Sequence, residues 1–218
     1  ILDEEGPDRV GVVVEALGAD DHLAPLVTKA PGQRIPRTVD EHELAVRVVL
    51  GQQVSTAAAR THAARLVSAY GDCVSDSAGG LTHLFPSVAQ LSDIDTRHLA
   101  FPASRQRTLT GLIAALSTAE VVLDSGCDWQ AARQQLLALP GIGPWTAEMI
   151  AMRGLGDPDA FPATDLGVAA AARHVGLPSA PKPLSEHARA WRPWRSYATQ
   201  HLWTALDHAV NQWPPKEK

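Results

Sequence analysis

The stretch Leu139-Pro-Gly-Ile-Gly-Pro-Trp-Thr146 places a glycine on either side of one apolar residue. Glycine lets the backbone turn sharply, and Ile142 can anchor such a turn in a core. Apolar residues at helical spacing precede the turn, and Pro144 suits the first position of a helix after it. The pattern predicts a helix, a hairpin and a second helix, although short glycine turns also join helices in plain bundles.

The start of the second helix is a candidate anion site, because the first N–H groups of a helix lack internal partners and carry partial positive charge. We expect the anion to be a DNA phosphate, held at Gly141, Gly143 and Thr146. The formal net charge of −5 argues against binding nucleic acid through a large basic surface. Affinity would instead rest on the geometry of a few phosphate contacts.

Helical periodicity continues on both sides of the hairpin, and no stretch alternates convincingly as a strand. Asp40 and Asp128 are placed as N-caps, and Gly71 marks a helix end. Residues 72–96 are predicted to form an irregular connection with one short helix. The sequence therefore predicts an all-α fold, with helices around 10–17, 44–49, 59–70, 109–116, 128–139, 144–153, 165–175 and 194–210.

The composition limits the class of protein. With 218 residues, of which 45% are hydrophobic, the chain can form one large domain or two packed lobes. Cys73 and Cys127 are too few for a disulfide framework or an iron–sulfur cluster, which indicates a reducing compartment and inert thiols. Nine histidines without ligand spacing argue against a catalytic transition metal. No apolar run approaches the roughly 20 residues of a spanning helix, so no membrane partner is expected.

Several further motifs surround the hairpin in a fixed order, and with them the chain resembles the helix-hairpin-helix (HhH-GPD) DNA glycosylase superfamily, in its AlkA-type 3-methyladenine branch. The resemblance implies a two-lobed helical bundle over 1–218, with lobe one at about 40–155 and lobe two at about 1–39 plus 156–218. Members often carry an N-terminal β domain, and the chain begins at Ile1 without a methionine, so we expect an upstream domain to be missing. The motifs are Leu50-Gly-Gln-Gln-Val-Ser55, Phe101-Pro-Ala-Ser-Arg105, Thr164-Asp-Leu166, Trp191-Arg-Pro-Trp-Arg-Ser-Tyr-Ala198 and His201-Leu-Trp203.

The resemblance assigns catalysis to Asp165. Base excision breaks an N-glycosidic bond through a cation-like sugar, and an ionised carboxylate can stabilise that charge or orient a water. The alternative is that Asp165 merely caps the helix that begins at Leu166. Asp157 and Asp159 are expected to be exposed turn formers, and Glu148 a solvated residue on the second hairpin helix.

Trp145 bears on the reaction class. Bifunctional members of the superfamily carry a lysine two residues after the second hairpin glycine, where its amine attacks the sugar and leads to strand cleavage. Trp145 occupies that position here. The resemblance therefore implies a monofunctional glycosylase without lyase activity.

The resemblance also places Trp145 and Trp203 in the pocket for the extruded base, with Met149 where the family often has an aromatic residue. Trp145, Met149 and Met152 share one helical face, which by itself indicates core. Trp203 points roughly 130° away from the apolar stripe of the last helix, so its ring needs another neighbour. An indole face favours cationic alkylated purines by about 1–2 kcal/mol.

Gln53 matches the position from which the family inserts a side chain into the gap left by the flipped nucleotide. A glutamine there can hydrogen-bond the orphaned partner base, and the alternative is a polar residue at a helix end. The neighbouring Gln52 is a second, weaker candidate for this inserted side chain. His201 is expected either near the pocket or packed in a helix, and Arg195 to be an ion-pair partner or a phosphate ligand. Trp191, Trp194 and Tyr197 are expected to pack the last helix against the core.

No cofactor is required, and the family implies a structural Na⁺ or K⁺ held by main-chain oxygens of Leu137, Leu139 and Ile142. The predicted protein is a cytoplasmic, nucleoid-associated monomer that binds damaged duplex DNA. Its leading function is the hydrolysis of alkylated bases such as 3-methyladenine and 7-methylguanine from duplex DNA. The alternatives are excision of neutral lesions such as hypoxanthine or uracil, and a non-catalytic module that binds abasic or distorted DNA.

Overall fold

The computed structural model describes residues 7–76, 79–96, 99 and 101–206, and every regular element in them is helical. The prediction of an all-α fold is confirmed, and the β-type pairing in the described part is an isolated bridge between Cys73 and His83. The α-helices of the described part are α1 Pro7–Gly18, α2 Ala24–Lys29, α3 Glu41–Leu50, α4 Thr56–Tyr70, α5 Val88–Leu91, α6 Ala103–Ser117, α7 Trp129–Ala138, α8 Pro144–Ile150, α9 Leu166–His174, α10 Pro181–His187 and α11 Arg195–Thr204.

The helix ends follow from local chemistry. Asp40 caps α3 by accepting a hydrogen bond from the Glu43 N–H, and Asp128 caps α7 through two N–H groups, as predicted. The short helix expected within 72–96 is α5, which begins with a capping box at Ser87. The helix predicted to run to about Arg153 is regular only to Ile150 and continues as a π-helical turn. The predicted tail of the last helix, 207–210, lies outside the described residues.

Two short helices were not predicted. α2 and α10 both have a proline within their first two positions, where the missing N–H costs nothing. Each has one buried residue, Val27 in α2 and Leu184 in α10. Helices of six and seven residues with one buried residue each show too little periodicity for a sequence pattern to reveal.

The chain divides into two compact units, one made of residues 1–37 and 156–218 and the other of Thr38–Leu155. The Thr38–Leu155 unit packs α3, α4, α6, α7 and α8 around one apolar cluster. Ile142, the apolar residue of the hairpin, belongs to this cluster and is 5% exposed, which confirms it as an anchor. Burying such a side chain stabilises the fold by about 2 kcal/mol.

In the other unit, Asp20 lies in a hydrogen-bonded cluster. Its carboxylate accepts bonds from His187 Nε2 and Trp191 Nε1, each at 2.7 Å. Burial raises the pKa of Asp20, but the hydrogen bonds from Trp191, His187 and the main-chain N–H groups of His22 and Leu23 together hold the pKa below its usual value. Trp191 and Tyr197 are each 1% exposed, as expected of core residues, whereas Trp194 is half-buried.

Candidate functional site

The hairpin follows directly from α7. Ile142 N–H donates to Leu139 O at 3.1 Å, and α8 begins at Pro144. Gly141 adopts a φ of +87°, and a Cβ at this position would lie 1.9 Å from Thr108 Oγ1 on α6. Only glycine fits both requirements, so the predicted hairpin forms where the sequence placed it.

Thr146 does not offer its hydroxyl to a ligand. The side chain is 2% exposed, and its Oγ1 accepts a hydrogen bond from Gln52 Nε2 at 2.9 Å. A phosphate contact at this position would have to use the main-chain N–H. The same amide nitrogen of Gln52 also donates to Gly141 O at 3.1 Å. The sequence offered no signal for this pairing, since the residues are far apart along the chain.

Gln53 lies in the loop between α3 and the α4 cap, Ser55. Its side chain is exposed, and its backbone adopts a φ of 52°, in the left-handed region. This conformation is uncommon for any residue other than glycine. The candidate wedge thus projects from a strained loop, and the next residue towards the N-terminus, Gln52, is bonded to the hairpin.

The predicted shared face of Trp145, Met149 and Met152 divides into two environments. Met152 is fully buried in the π-helical turn. Trp145 and Met149 are half-buried and pack on the edge of the apolar cluster of their own unit. Both keep part of their surface outside the core.

Glu148 was expected on a solvated face, and that expectation is wrong. Its Oε1 accepts a hydrogen bond from Arg133 Nε at 3.1 Å, and the two side chains are 24% and 20% exposed. Arg133 lies on α7 and Glu148 on α8. The ion pair therefore joins the two helices that flank the hairpin.

Asp165 is the N-cap of α9, and its carboxylate has a second partner. Oδ1 accepts hydrogen bonds from Val168 N–H at 2.8 Å and from Trp203 Nε1 at 2.9 Å. The capping alternative is thus confirmed, and it does not exclude a chemical role, because the same bonds fix the orientation of the carboxylate. Leu166 follows it and is 86% exposed.

Trp203 was expected to need a neighbour away from the apolar stripe of α11, and that neighbour is Asp165. Gly167 makes room for the contact. A Cβ at position 167 would lie 3.0 Å from Asp165 Oδ1 and 3.3 Å from both Cδ1 and Nε1 of Trp203. The role of Gly167 was missed because the glycine stands inside a helical pattern, where sequence gives no reason for it.

The segment before Asp165 is fixed to the start of α11. Asp157 is 3% exposed, and Asp159 forms a two-pronged ion pair with Arg195, with both N–O distances at 2.7 Å. The aspartates do form a turn, as expected, since Asp157 Oδ1 accepts a hydrogen bond from Asp159 N–H at 2.7 Å. The expected exposure is wrong for both, and Arg195 is an ion-pair partner. Ser196 Oγ hydrogen-bonds to the carbonyl oxygens of Asp157 and Ala160. These contacts hold the segment that leads to Asp165 against the helix that carries Trp203.

His201 is a core residue of α11. It is 1% exposed, its Nδ1 has no hydrogen-bond partner, and burial lowers its pKa to about 4. The packed alternative is therefore the observed one, and the imidazole is neutral near pH 7.

The two thiols differ in environment. Cys127 is half-buried, and burial, together with the nearby Asp124 and Asp128, raises the pKa of its thiol. Cys73 is exposed, and its Sγ lies 3.3 Å from His83 Nε2.

Within the described residues, no group of three or more His, Cys, Asp or Glu side chains is arranged to hold a metal ion. No helix of the described ranges is long and apolar enough to cross a membrane.

A monovalent cation at the hairpin stays a prediction from the family resemblance, and the main chain here offers oxygen atoms of the kind such an ion needs. Because α7 ends at Ala138, the carbonyl groups of its last turn, including that of Leu137, lack intrahelical partners. The Ile142 N–H···O=C Leu139 hydrogen bond draws the hairpin into a tight turn. Main-chain oxygens of Leu137, Leu139 and Ile142 would hold the cation, which would add positive charge beside a phosphate.

The chain is similar to proteins of base excision DNA repair. The family model described as HhH-GPD superfamily base excision DNA repair protein matches residues 46–196. A Mycobacterium tuberculosis protein named "Probable bifunctional transcriptional activator/DNA repair enzyme AlkA" is 68% identical over 206 residues, which cover 94% of this chain and 42% of that protein. The chain therefore spans less than half the length of this relative.

Two further relatives are more distant. "DNA-3-methyladenine glycosylase 2" of Escherichia coli is 33% identical over 198 residues, covering 89% of this chain and 66% of that protein. The solved structure of a 3-methyladenine DNA glycosylase from Archaeoglobus fulgidus matches with a TM-score of 0.74 at 21% identity, over 92% of this chain and 69% of that chain. The structural likeness establishes a common fold.

Proposed function

The chain belongs to the HhH-GPD superfamily of base excision DNA repair proteins, and on that premise we propose that it is a monofunctional DNA glycosylase for alkylated bases. The observation that carries the proposal is the Asp165 carboxylate, held at the start of α9 by Val168 N–H and by the Trp203 indole. The names of relatives from two bacteria, a DNA repair enzyme and a 3-methyladenine glycosylase, support the same substrate class.

The proposed reaction is hydrolysis of the N-glycosidic bond of a nucleotide flipped out of the duplex. The bond between C1′ and the base breaks, and its electron pair leaves with the base. An N3- or N7-methylated purine carries a positive charge and so departs as a neutral molecule. Asp165 stabilises the cation-like sugar, and a water adds its oxygen to C1′ and releases a proton.

Trp145 limits the chemistry to this hydrolysis. It fills the position at which bifunctional members of the superfamily carry the lysine that forms a Schiff base. An indole nitrogen is not a nucleophile of that kind. The abasic strand is therefore left uncut.

The remaining candidate residues take the roles that the family resemblance gives them. Trp145, Met149 and Trp203 contact the extruded base, and indole faces favour a cationic ring. Gln53 enters the gap in the duplex. Main-chain groups at Gly141, Gly143 and Thr146 bind a phosphate, which explains how a chain with a net charge of −5 can bind DNA. The protein acts as a monomer, in the cytoplasm, on damaged duplex DNA.

The test is release of bases from methylated duplex DNA. The full 218-residue chain is incubated with the duplex, and free 3-methyladenine and 7-methylguanine are measured by chromatography. Asp165→Asn keeps the shape of the side chain and removes its charge, so release should be abolished. Release of hypoxanthine or uracil instead, from single-lesion duplexes, would move the assignment to neutral lesions.

Two further outcomes contradict the proposal. If the wild type and Asp165→Asn bind an abasic duplex equally and neither releases any base, the protein is a binding module. If borohydride traps a covalent adduct between the protein and an abasic strand, the enzyme has lyase activity and the role of Trp145 is wrong.

A further inference from the structure

Two adjacent glutamines lie in the loop that joins α3 to α4, and the proposed function uses only the second. Gln53 is exposed, with a φ of 52°. Gln52 is half-buried, and its Nε2 lies 3.1 Å from Gly141 O and 2.9 Å from Thr146 Oγ1. The amide of Gln52 therefore joins the loop that carries Gln53 to the hairpin.

The two acceptors determine the orientation of the Gln52 side-chain amide. A backbone carbonyl such as Gly141 O can only accept, so the amide must present its NH2 group, whose two hydrogens serve the two acceptors. The Thr146 side chain is 2% exposed, so its hydrogen bond with Gln52 is shielded from water. A glutamate at position 52 would have nearly the same shape and no hydrogen to donate.

Both ends of this connection are held in place. On the hairpin side, Gly141 packs directly against Thr108, at a distance that excludes any other residue. On the loop side, the left-handed conformation of Gln53 is unfavourable for a residue with a side chain and persists only if its surroundings support it. The hydrogen bonds of Gln52 supply such support one residue away.

We propose that Gln52 is a positioning residue that fixes the spacing between the Gln53 wedge and the phosphate contacts of the hairpin. This inference rests on the proposed function. The gripped phosphate and the gap that Gln53 fills belong to one duplex, so a fixed spacing between them selects which nucleotide leaves the stack. Without Gln52, the hairpin still binds phosphates, but Gln53 is no longer held in register with the gap.

The test compares binding to two duplexes that differ at one nucleotide, using the full chain and fluorescence anisotropy. One duplex is undamaged, and the other carries a tetrahydrofuran abasic analogue. Gln52→Glu should lower the preference for the abasic duplex about ten-fold. Its added negative charge weakens binding of both duplexes alike, so the readout is the ratio of the two affinities. Gln53→Ala should lose the same preference, and adding Gln52→Glu to it should change the preference by less than about two-fold.

Thr146 supplies a second pair of variants that does not depend on the folding of Gln52→Glu. Thr146→Val removes the hydroxyl acceptor at constant shape and should lower the preference about three-fold. Thr146→Ser keeps the hydroxyl and should restore most of the preference that Thr146→Val loses. A 2-aminopurine opposite the lesion should show less unstacking on binding by Gln52→Glu and by Thr146→Val.

Three outcomes would overturn the positioning role. These are an equal loss of affinity for both duplexes in Gln52→Glu, independent and additive losses in the Gln52→Glu/Gln53→Ala pair, and a wild type that binds both duplexes equally. Failure of the proposed function looks different. A wild type that prefers the abasic duplex but releases no base from methylated DNA is not a glycosylase, and its binding ratios still decide the role of Gln52.

Discussion

Trp203 Nε1 donates a hydrogen bond to Asp165 Oδ1 at 2.9 Å, and Val168 N–H donates to the same oxygen at 2.8 Å. One carboxylate oxygen thus accepts hydrogen bonds from two helices, through a main-chain N–H in the first turn of α9 and through the Trp203 side chain on α11. An indole in this position orients the carboxylate as well as presenting an aromatic ring. The two roles of Trp203 can be separated by substitution.

Trp203→Phe keeps an aromatic ring and removes the N–H donor. A hydrogen bond to a charged group contributes about 1.5–3 kcal/mol, so we expect the single-turnover excision rate to fall at least about ten-fold. Affinity for an abasic duplex should change little, because the ring remains. Trp194→Phe, a matched change at a half-buried tryptophan that packs on Tyr197, should leave the rate unaltered. Equal rates for Trp203→Phe and the wild type would remove the hydrogen bond from the mechanism.

Gly167→Ala tests the space beside the same contact. A Cβ there would lie 3.0 Å from Asp165 Oδ1, so the carboxylate or the Trp203 ring must shift. Alanine favours the helical state by about 1 kcal/mol relative to glycine, which offsets the cost of the crowding. The substitution should therefore slow excision without destabilising the protein. We expect slower excision with a melting temperature close to that of the wild type.

The control for this substitution is Gly111→Ala on α6, where a Cβ would meet nothing within 4 Å. It should raise the melting temperature and leave excision unchanged. If both alanine variants excise bases at the wild-type rate, Gly167 is not needed for the geometry of Asp165.

The sequence predicted the parts of this protein that depend on local patterns. The caps at Asp40 and Asp128 and the turn at Gly141 follow from residue types within a few positions of one another. The contacts of Gln52 with the hairpin and of Asp159 with Arg195 join residues 89 and 36 positions apart, respectively. Side chains that find such partners look like exposed polar residues in a sequence, so neither the role of Gln52 nor the partner of Arg195 was predicted.

Asp159→Asn should destabilise the protein. The Asp159–Arg195 pair has two hydrogen bonds of 2.7 Å, and its side chains are 21% and 17% exposed, so removing one charge leaves Arg195 poorly compensated. We expect a loss of about 1–3 kcal/mol in the free energy of unfolding, measured with urea.

Glu186→Gln provides the exposed comparison. It removes a charge from the Arg189–Glu186 pair, whose side chains are 70% and 63% exposed, and exposed pairs contribute little. The two variants should differ clearly in stability. Equal effects would mean that the Asp159–Arg195 pair does not fix the segment before Asp165.

His201 gives the stability a dependence on pH. Burial lowers its pKa in the folded protein to about 4, whereas an unfolded histidine titrates near 6.5. Between these values the unfolded chain binds more protons, so this residue lowers stability progressively as the pH falls from 6.5 to 4, by about 3 kcal/mol in total. Above pH 6.5 the imidazole is neutral in both states and has no such effect.

His201→Leu should therefore flatten this part of the stability curve. Urea unfolding at pH 7 and at pH 4.5 gives the free energy of unfolding at each pH, and the difference between the two should be smaller in the variant than in the wild type. His174→Gln removes an exposed histidine of α9 and should leave the difference unchanged. A His201→Leu protein that loses as much stability on acidification as the wild type would show that His201 is not the buried neutral group described here.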